Sequence, residues 1–184
     1  MTRQKALDLL KENIKTKNLR KHSFAVEAVM KELADYFDKD KDKWGLAGLL
    51  HDIDYEKTKD EPEKHSIIGA KMLKEKGLDK EIVHAVKSHN KMHDIPLNSL
   101  MDKALFVSDP ITGLIVAATL VLPSKKIKDL KPQNILNRFT EKNFAKGADR
   151  DVISKCESLL DIDLEDFVGI ALRAMQKINK DLGL

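Results

Sequence analysis

The sequence predicts an all-α fold, and three observations carry that prediction. Apolar residues recur at three- and four-residue spacing along almost the whole 184-residue chain, the period of helices with one buried face. Alternating β-branched runs bounded by turn residues are missing. Helix punctuation falls where the periodic runs start and stop: Asp79 and Asp163 stand at N-cap positions and Gly77 at a helix C-terminus.

The spacing predicts helices over 2–16, 19–38, 43–51, 64–76, 80–89, 98–108, 110–122, 132–138, 149–159 and 164–181. The first, MTRQKALDLLKENIK, is amphipathic with charges throughout, unlike the unbroken apolar core of a signal peptide. In the second, His22, Val26, Val29, Met30, Leu33 and Phe37 share one stripe. The third closes with the apolar run AGLL directly before His51 and Asp52. From Ile53 to Glu63 the chain is charge-rich and closed by Pro62, which reads as a mobile loop able to serve as a lid.

The helix over 64–76 aligns His65 with Ile68, Met72 and Leu73, and the one over 80–89 aligns His89 with Ile82, Ala85 and Val86. Pro110 suits the first turn of a new helix, dividing 98–108 from 110–122. The most apolar stretch, Ile111 to Leu122, is too short to span a bilayer and suits a buried core helix. The helices beyond residue 124 carry no motif to which chemistry attaches.

A chain of this length fits a single domain able to bury one core without staples, and no linker or internal repeat divides it. The one cysteine, Cys156, excludes a disulfide framework and any multi-cysteine zinc site, so a metal would be held by His and carboxylates. The net charge of +3 arises from 33 basic and 30 acidic residues mixed along the chain, the pattern of a solvated surface. Only KKIKDLK, Lys125 to Lys131, forms a basic cluster, and no interleaved aromatics support base stacking. These features lead us to expect a cytoplasmic protein with no membrane partner and no nucleic-acid partner.

Six ionisable groups are predicted to face inward: His22, His51, Asp52, His65, His89 and Asp109, the last set by Leu105 and Phe106 on its helix. A buried ionised carboxylate is prohibitively costly unless paired or bound to metal. Neutral imidazole and carboxylate together suit zinc, iron, manganese and related divalent ions, so one cation answers the burial of all six. Each residue also has a plainer reading. A lone inward histidine is ordinarily a hydrogen-bonded core residue, Asp109 before Pro110 could be an N-cap, and His51-Asp52 could close a helix. His84, among Lys80, Glu81, Lys87 and Ser88, is expected to face solvent; His93 lies in the loop NKMHDIP and is kept outside the site, as a possible substrate-loop contact.

The order His22, His51-Asp52, Asp109 resembles the H…HD…D signature of the HD superfamily, helical metal-dependent phosphohydrolases, and His65 and His89 resemble the extra histidines of its dinuclear branches. The words RKHSFAVEAVM, LAGLLHDIDYEK, KHSIIGAKML and LMDKALFVSDPITGL carry the likeness over about residues 19–115. It implies a compact HD-type bundle with additional C-terminal helices. It further implies a first metal held by His22, His51, Asp52 and Asp109, with Asp52 bridging to a second held with His65 and His89. One or two divalent ions (Mn, Fe, Zn, Ni, Co or Mg) would then activate hydroxide to attack a small phosphorylated substrate, a nucleotide in first choice. The layout also resembles HD proteins that cleave diadenosine tetraphosphate symmetrically.

Lys103, six residues before Asp109, is placed near the site by the same likeness, where it would bind phosphate or form an ion pair; with Asp52 it completes the expected catalytic set. Asp102 would be a partner of a ligating histidine or a surface charge, and Glu56, Lys57 and Lys59 are lid residues or a solvated loop. The chain departs from the pattern HD-I-G-K at Asp54 and Tyr55, lacks a GYP element, and has Asn90 where some dinuclear relatives carry a second histidine. The competing expectations are a mononuclear 5′-nucleotidase-like enzyme and a non-catalytic metal- or nucleotide-binding sensor.

Overall fold

The computed structural model describes residues 1–184, all of them in helices, turns and short connections, with no strand. The elements are α1 Arg3–Asn13, α2 Lys17–Tyr36, α3 Lys41–Leu50, α4 Tyr55–Thr58, α5 Ile67–Glu75, α6 Lys80–Ser88, α7 Leu100–Leu120, α8 Pro132–Phe139, α9 Arg150–Ile153, α10 Cys156–Leu160, α11 Leu164–Lys177 and α12 Asn179–Leu182. Single 3-10 turns lie at Pro62–Lys64, Lys91–His93 and Ile127–Asp129.

α2, α3, α6 and α7 surround the centre, and α11 packs along α2 and α7. One hydrophobic cluster runs from Ala6 to Leu182, so the C-terminal helices share the core of the first 120 residues. Predicted caps hold: the Asp79 carboxylate accepts from the amide of Glu81 at 2.8 Å, Asp163 accepts from that of Asp166 at 2.8 Å, and Gly77 takes φ +73°. α3 approaches α2 closely because residue 48 is glycine. A Cβ there would stand 2.8 Å from the Val26 carbonyl and 2.9 Å from the Glu27 Cα. α1 is fastened to α2 by a buried carboxylate, Glu27, which accepts from Arg3 Nε at 2.6 Å, Arg3 Nη2 at 2.9 Å and Lys31 Nζ at 2.7 Å.

Several element boundaries differ from the sequence reading. The two helices expected on either side of Pro110 are one 21-residue helix, α7. Proline forgoes one helical hydrogen bond, but both halves of α7 bury apolar side chains in the bundle, Met101 and Leu105 before the proline and Leu114 and Ile115 after it, and this outweighs the loss. Asp109 is therefore mid-helix and not an N-cap. By length and composition α7 could cross a membrane, contrary to the expectation from Ile111–Leu122 alone; its residues Met101, Leu105, Leu114 and Ile115 are buried in the bundle.

The segment 53–63 is not a free lid. Ile53, Asp54 and Thr58 are buried, the Glu56 carboxylate accepts from the Lys15 and Thr16 amides at 2.9 and 2.7 Å, and Lys57 Nζ donates to Asn13 Oδ1 at 2.7 Å. The first helix ends at Asn13, 149–159 divides into α9 and α10, and 164–181 divides into α11 and α12.

Candidate metal centre

The side chains at the centre come from five places. His22 lies on α2; His51 caps the C-terminus of α3, with Asp52 in the turn beyond; His89 caps the C-terminus of α6; Asp109 lies midway along α7. His65 precedes α5 and is not on its apolar stripe, a correction to the sequence reading. Ser66 between them takes φ +71°, which turns His65 inward. This strained corner is held from outside: Ser66 Oγ donates to the Lys87 carbonyl at 3.0 Å, while Asn90 Nδ2 and His93 Nε2 donate to the His65 carbonyl at 3.3 and 2.8 Å. Asn90 and His93 thus hold the backbone of His65.

Asp52 is the hub. Its Oδ1 lies 3.4 Å from His51 Nε2, 3.3 Å from His65 Nε2 and 3.5 Å from His89 Nε2, while its Oδ2 lies 3.7 Å from His22 Nε2. Asp109 Oδ1 is 2.9 Å from His22 Nε2 and 3.7 Å from His51 Nε2, and the two imidazole nitrogens His22 Nε2 and His51 Nε2 are 3.2 Å apart. All six residues that the sequence pointed inward meet here.

The outward ring nitrogens fix what the inward ones can do. His51 Nδ1 donates to the Gly48 carbonyl at 2.8 Å, His89 Nδ1 to the Val86 carbonyl at 2.7 Å, and His65 Nδ1 to Asp54 Oδ1 at 2.9 Å. Thr112 Oγ1 gives its only proton to the Asp109 carbonyl at 2.9 Å, so it accepts from His22 Nδ1 at 3.1 Å. In the neutral rings every Nε2 therefore turns a lone pair inward. Four lone pairs and two carboxylates converge with no donor among them.

Positive charge relieves such a set, whether as protons taken up by the rings or as a metal ion, and two groups of ligand atoms, His22/His51/Asp109 and His51/Asp52/His89, are compact enough to hold a metal ion. The field has the same sign: burial opposes charge on His51, but the Asp52 and Asp109 carboxylates outweigh it and raise its pKa well above 6.5. Burial likewise opposes charge on His65, and Asp52 and Asp54 overcome it, lifting that pKa to about 9. Asp52 is held well below the usual carboxylate range by His51, His65 and His89 despite its burial. Asp109 is lowered by His22 and His51, again against burial.

Asp54 is the contributor that sequence reasoning had taken for a departure. It is fully buried; Oδ1 fixes the His65 ring and Oδ2 accepts from the Gly69 amide at 2.7 Å. Gly69 makes room, since a Cβ there would lie 3.1 Å from the carboxylate carbon. Carboxylate–histidine pairs of this kind orient metal-binding imidazoles.

Other expectations change. His84 does not face open solvent: its Nδ1 donates to Asp102 Oδ2 at 2.9 Å. Asp102 is buried, neither a surface charge nor a partner of the six; it also accepts from the Asn98 and Ser99 amides and closes the capping box of α7. Lys103 is half-buried, makes no ion pair and does not line the cavity over the cluster.

That cavity, about 290 Å³, has His22, His65, His89 and Asp109 in its floor, with Asn90, Lys91 and Phe106 from one side and Gly147 to Asp149 and Val152 from the C-terminal region. Lys91 is its only lysine or arginine and pairs with Asp149. Burial opposes the Asp149 charge, but Lys91 and the helix-capping amide of Val152 lower its pKa. The loop bearing Asp149 is gathered by Arg150, whose guanidinium donates to the carbonyls of Ala145 and Ala148 at 2.8 Å each and to those of Phe144 and Phe139. No segment between 53 and 63 takes part in this wall.

The profile of the HD domain matches residues 19–143. The chain belongs to the HD-domain family. The match runs past residue 115, where the motif likeness ended, and takes in α7 and α8. Among curated proteins, the HD chain is 33% identical over 142 residues to ribonuclease Y of Lawsonia intracellularis, covering 74% of this chain and 27% of that protein. It is 30% identical over 140 residues to ribonuclease Y of Nitratidesulfovibrio vulgaris, with the same coverage of 74% and 27%. An uncharacterized protein of Methanocaldococcus jannaschii is 33% identical over 91 residues, 47% of this chain and 52% of that one. The chain spans about a quarter of the length of the ribonuclease Y relatives. No solved structure gives a significant match. The His/Asp cluster can hold a divalent ion, in keeping with a family of metal-dependent hydrolases.

Proposed function

We propose that the protein hydrolyses a small phosphate ester or anhydride, a nucleotide in our reading, at two divalent cations. His22, His51, Asp52 and Asp109 would hold the first and Asp52, His65 and His89 the second. The observation that carries the reading is the set of four inward lone pairs and two carboxylates without a donor, at the floor of an open cavity. Bound divalent cations supply Lewis-acid polarisation of phosphoryl oxygens and make water acidic enough to attack at neutral pH.

The chain's own residues do the rest. Asp52 reaches all four histidines and so sets the spacing of the two halves of the cluster. The Gly48 and Val86 carbonyls hold His51 and His89, and Asp54 holds His65, each in the tautomer that leaves Nε2 free to bind. No Ser, Thr or Cys lines the cavity, which fits attack by water and not by a side chain. Lys91 is the cation available to a substrate phosphate, and Phe106, Pro110 and Val152 limit water around the cavity. Lys103 has no part in this arrangement.

The test is elemental analysis of tag-free protein with His65→Ala and Asp52→Ala, followed by a screen of phosphate esters. About two ions per chain, falling toward one in His65→Ala, with turnover of a nucleotide, are the expected results. No metal after reconstitution with manganese, iron or zinc would sink the reading. A single ion indifferent to His65→Ala would favour a mononuclear 5′-nucleotidase-like enzyme, and full metal without turnover a sensor. The ribonuclease Y relatives favour one further reading, cleavage of an RNA phosphodiester. They weigh against setting nucleic acid aside as a partner, and an RNA oligonucleotide belongs in the same screen.

A further inference from the structure

A second cavity, about 380 Å³, opens on the other flank of His22. It adjoins the first, since His22 and Gly113 line both. Gly113 lies exposed on α7 one turn beyond Asp109, and a Cβ built on it would meet no atom within 4 Å. Glycine weakens a helix interior relative to alanine, and no close approach requires it at this position. What its missing side chain leaves is an unfilled saddle between two compartments.

The compartments differ in chemistry. The first holds the His/Asp cluster, Asn90 and Lys91. The second is walled by Ala25, Val116, Leu120 and Leu182, with Asn18 and Lys21 as polar groups beside His22 and Thr112, which bond to each other. Leu120 is 49% exposed, an apolar side chain left facing this opening. An anion-binding compartment joined over a bare helix to an aliphatic one with a polar edge fits a phosphate linked to a flat, largely apolar group that carries hydrogen-bonding atoms.

We propose that the second cavity is the subsite for the base of a nucleoside phosphate, with Gly113 the saddle over which the sugar passes. The subsite rests on the reading that phosphate sits over the His/Asp cluster. Aliphatic walls grip a heterocycle by its faces, while Lys21 and Asn18 meet its edge.

The experiment is calorimetric titration of the metal-loaded full chain with adenosine 5′-phosphorothioate and with inorganic thiophosphate, matched probes that resist hydrolysis. The wild-type protein is expected to bind the nucleoside probe at least tenfold more tightly than thiophosphate. Gly113→Val, which fills the saddle, and Leu120→Asn, which removes an aliphatic wall, are each expected to bring that ratio toward one, with metal content and melting temperature retained. Equal affinities in the wild type, or a preference unchanged in both variants, would overturn the subsite alone. If neither probe binds protein that carries its full metal complement, the phosphohydrolase reading falls and the subsite falls with it.

Discussion

Replacing Asp54 by asparagine should disable His65 as a ligand while leaving its position almost unchanged. The buried Asp54 carboxylate receives two protons, from the Gly69 amide at 2.7 Å and from His65 Nδ1 at 2.9 Å. The backbone amide must keep an acceptor, so the asparagine oxygen turns to Gly69 and its NH2 faces the ring. His65 Nδ1 then has to accept, which moves the ring proton to Nε2, 3.3 Å from Asp52 Oδ1 and inside the cluster. A protonated Nε2 cannot ligate. Loss of such a supporting group lowers metal affinity about 10–100-fold, or roughly 1.4–2.7 kcal/mol, and the loss should fall on the more weakly held of two ions. Competition against a chromophoric chelator would measure affinity, and nitrogen chemical shifts of the His65 ring would report the tautomer. Wild-type affinity for both ions in Asp54→Asn, with the proton on Nε2, would refute the reasoning.

Three further outcomes are expected. Asp149→Asn keeps an N-cap for α9 but frees Lys91, so inorganic phosphate should bind the metal-loaded protein up to about fivefold more tightly, the scale of an exposed ion pair; Lys91→Ala should weaken it, and equal binding in both variants would exclude the lysine as a phosphate contact. Gly48→Ala should destabilise the fold by about 1–3 kcal/mol in chemical denaturation, although alanine favours helix, because the added Cβ meets the backbone of α2 and must push α3 and His51 away from His22. The side-chain hydrogen bond from Thr16, with the Lys15 and Thr16 amides, lowers the Glu56 pKa from 4.5 to about 2. The stability it contributes is present above about pH 4.5 and is lost as pH falls toward 2; melting curves of Glu56→Gln and wild type should differ at pH 6 and converge near pH 2.

How far the site was legible in the sequence depended on whether a residue's direction was set by its own helix. His22 and His89 follow stripes of buried residues on α2 and α6, so the 3.6-residue period located them. His65 was found for an incorrect reason: it stands outside α5, and Ser66 at φ +71° turns it inward. Pro110 misled in the opposite direction, since packing of both halves of α7 outweighs one missing hydrogen bond. Asp54 was visible only as a deviation in HDIDYEK, because its meaning depends on Gly69, fifteen residues later. The pair Lys91–Asp149 spans 58 residues, and neither member has a periodic neighbour that fixes its direction. No local pattern could have joined them.

The C-terminal region acquires its role from that geometry. α11 packs on α2 and α7, the helices that carry His22 and Asp109, and the stretch from Gly147 to Val152 forms one wall of the cavity over the cluster. Arg150 ties this wall together by donating to the carbonyls of Phe139, Ala145 and Ala148. The six groups of the cluster therefore stand on, or at the ends of, helices that are shared with the rest of the core, whereas the rim side chains, Lys91 and Asp149 on one flank and Leu120 on the other, lie outside the proposed ligand set. A rim substitution can then change what is bound without disturbing the ligand set. A ligand substitution cannot be confined in the same way, because Asp52 touches all four histidines and its loss leaves their lone pairs facing one another, 3.2 Å apart in the case of His22 and His51.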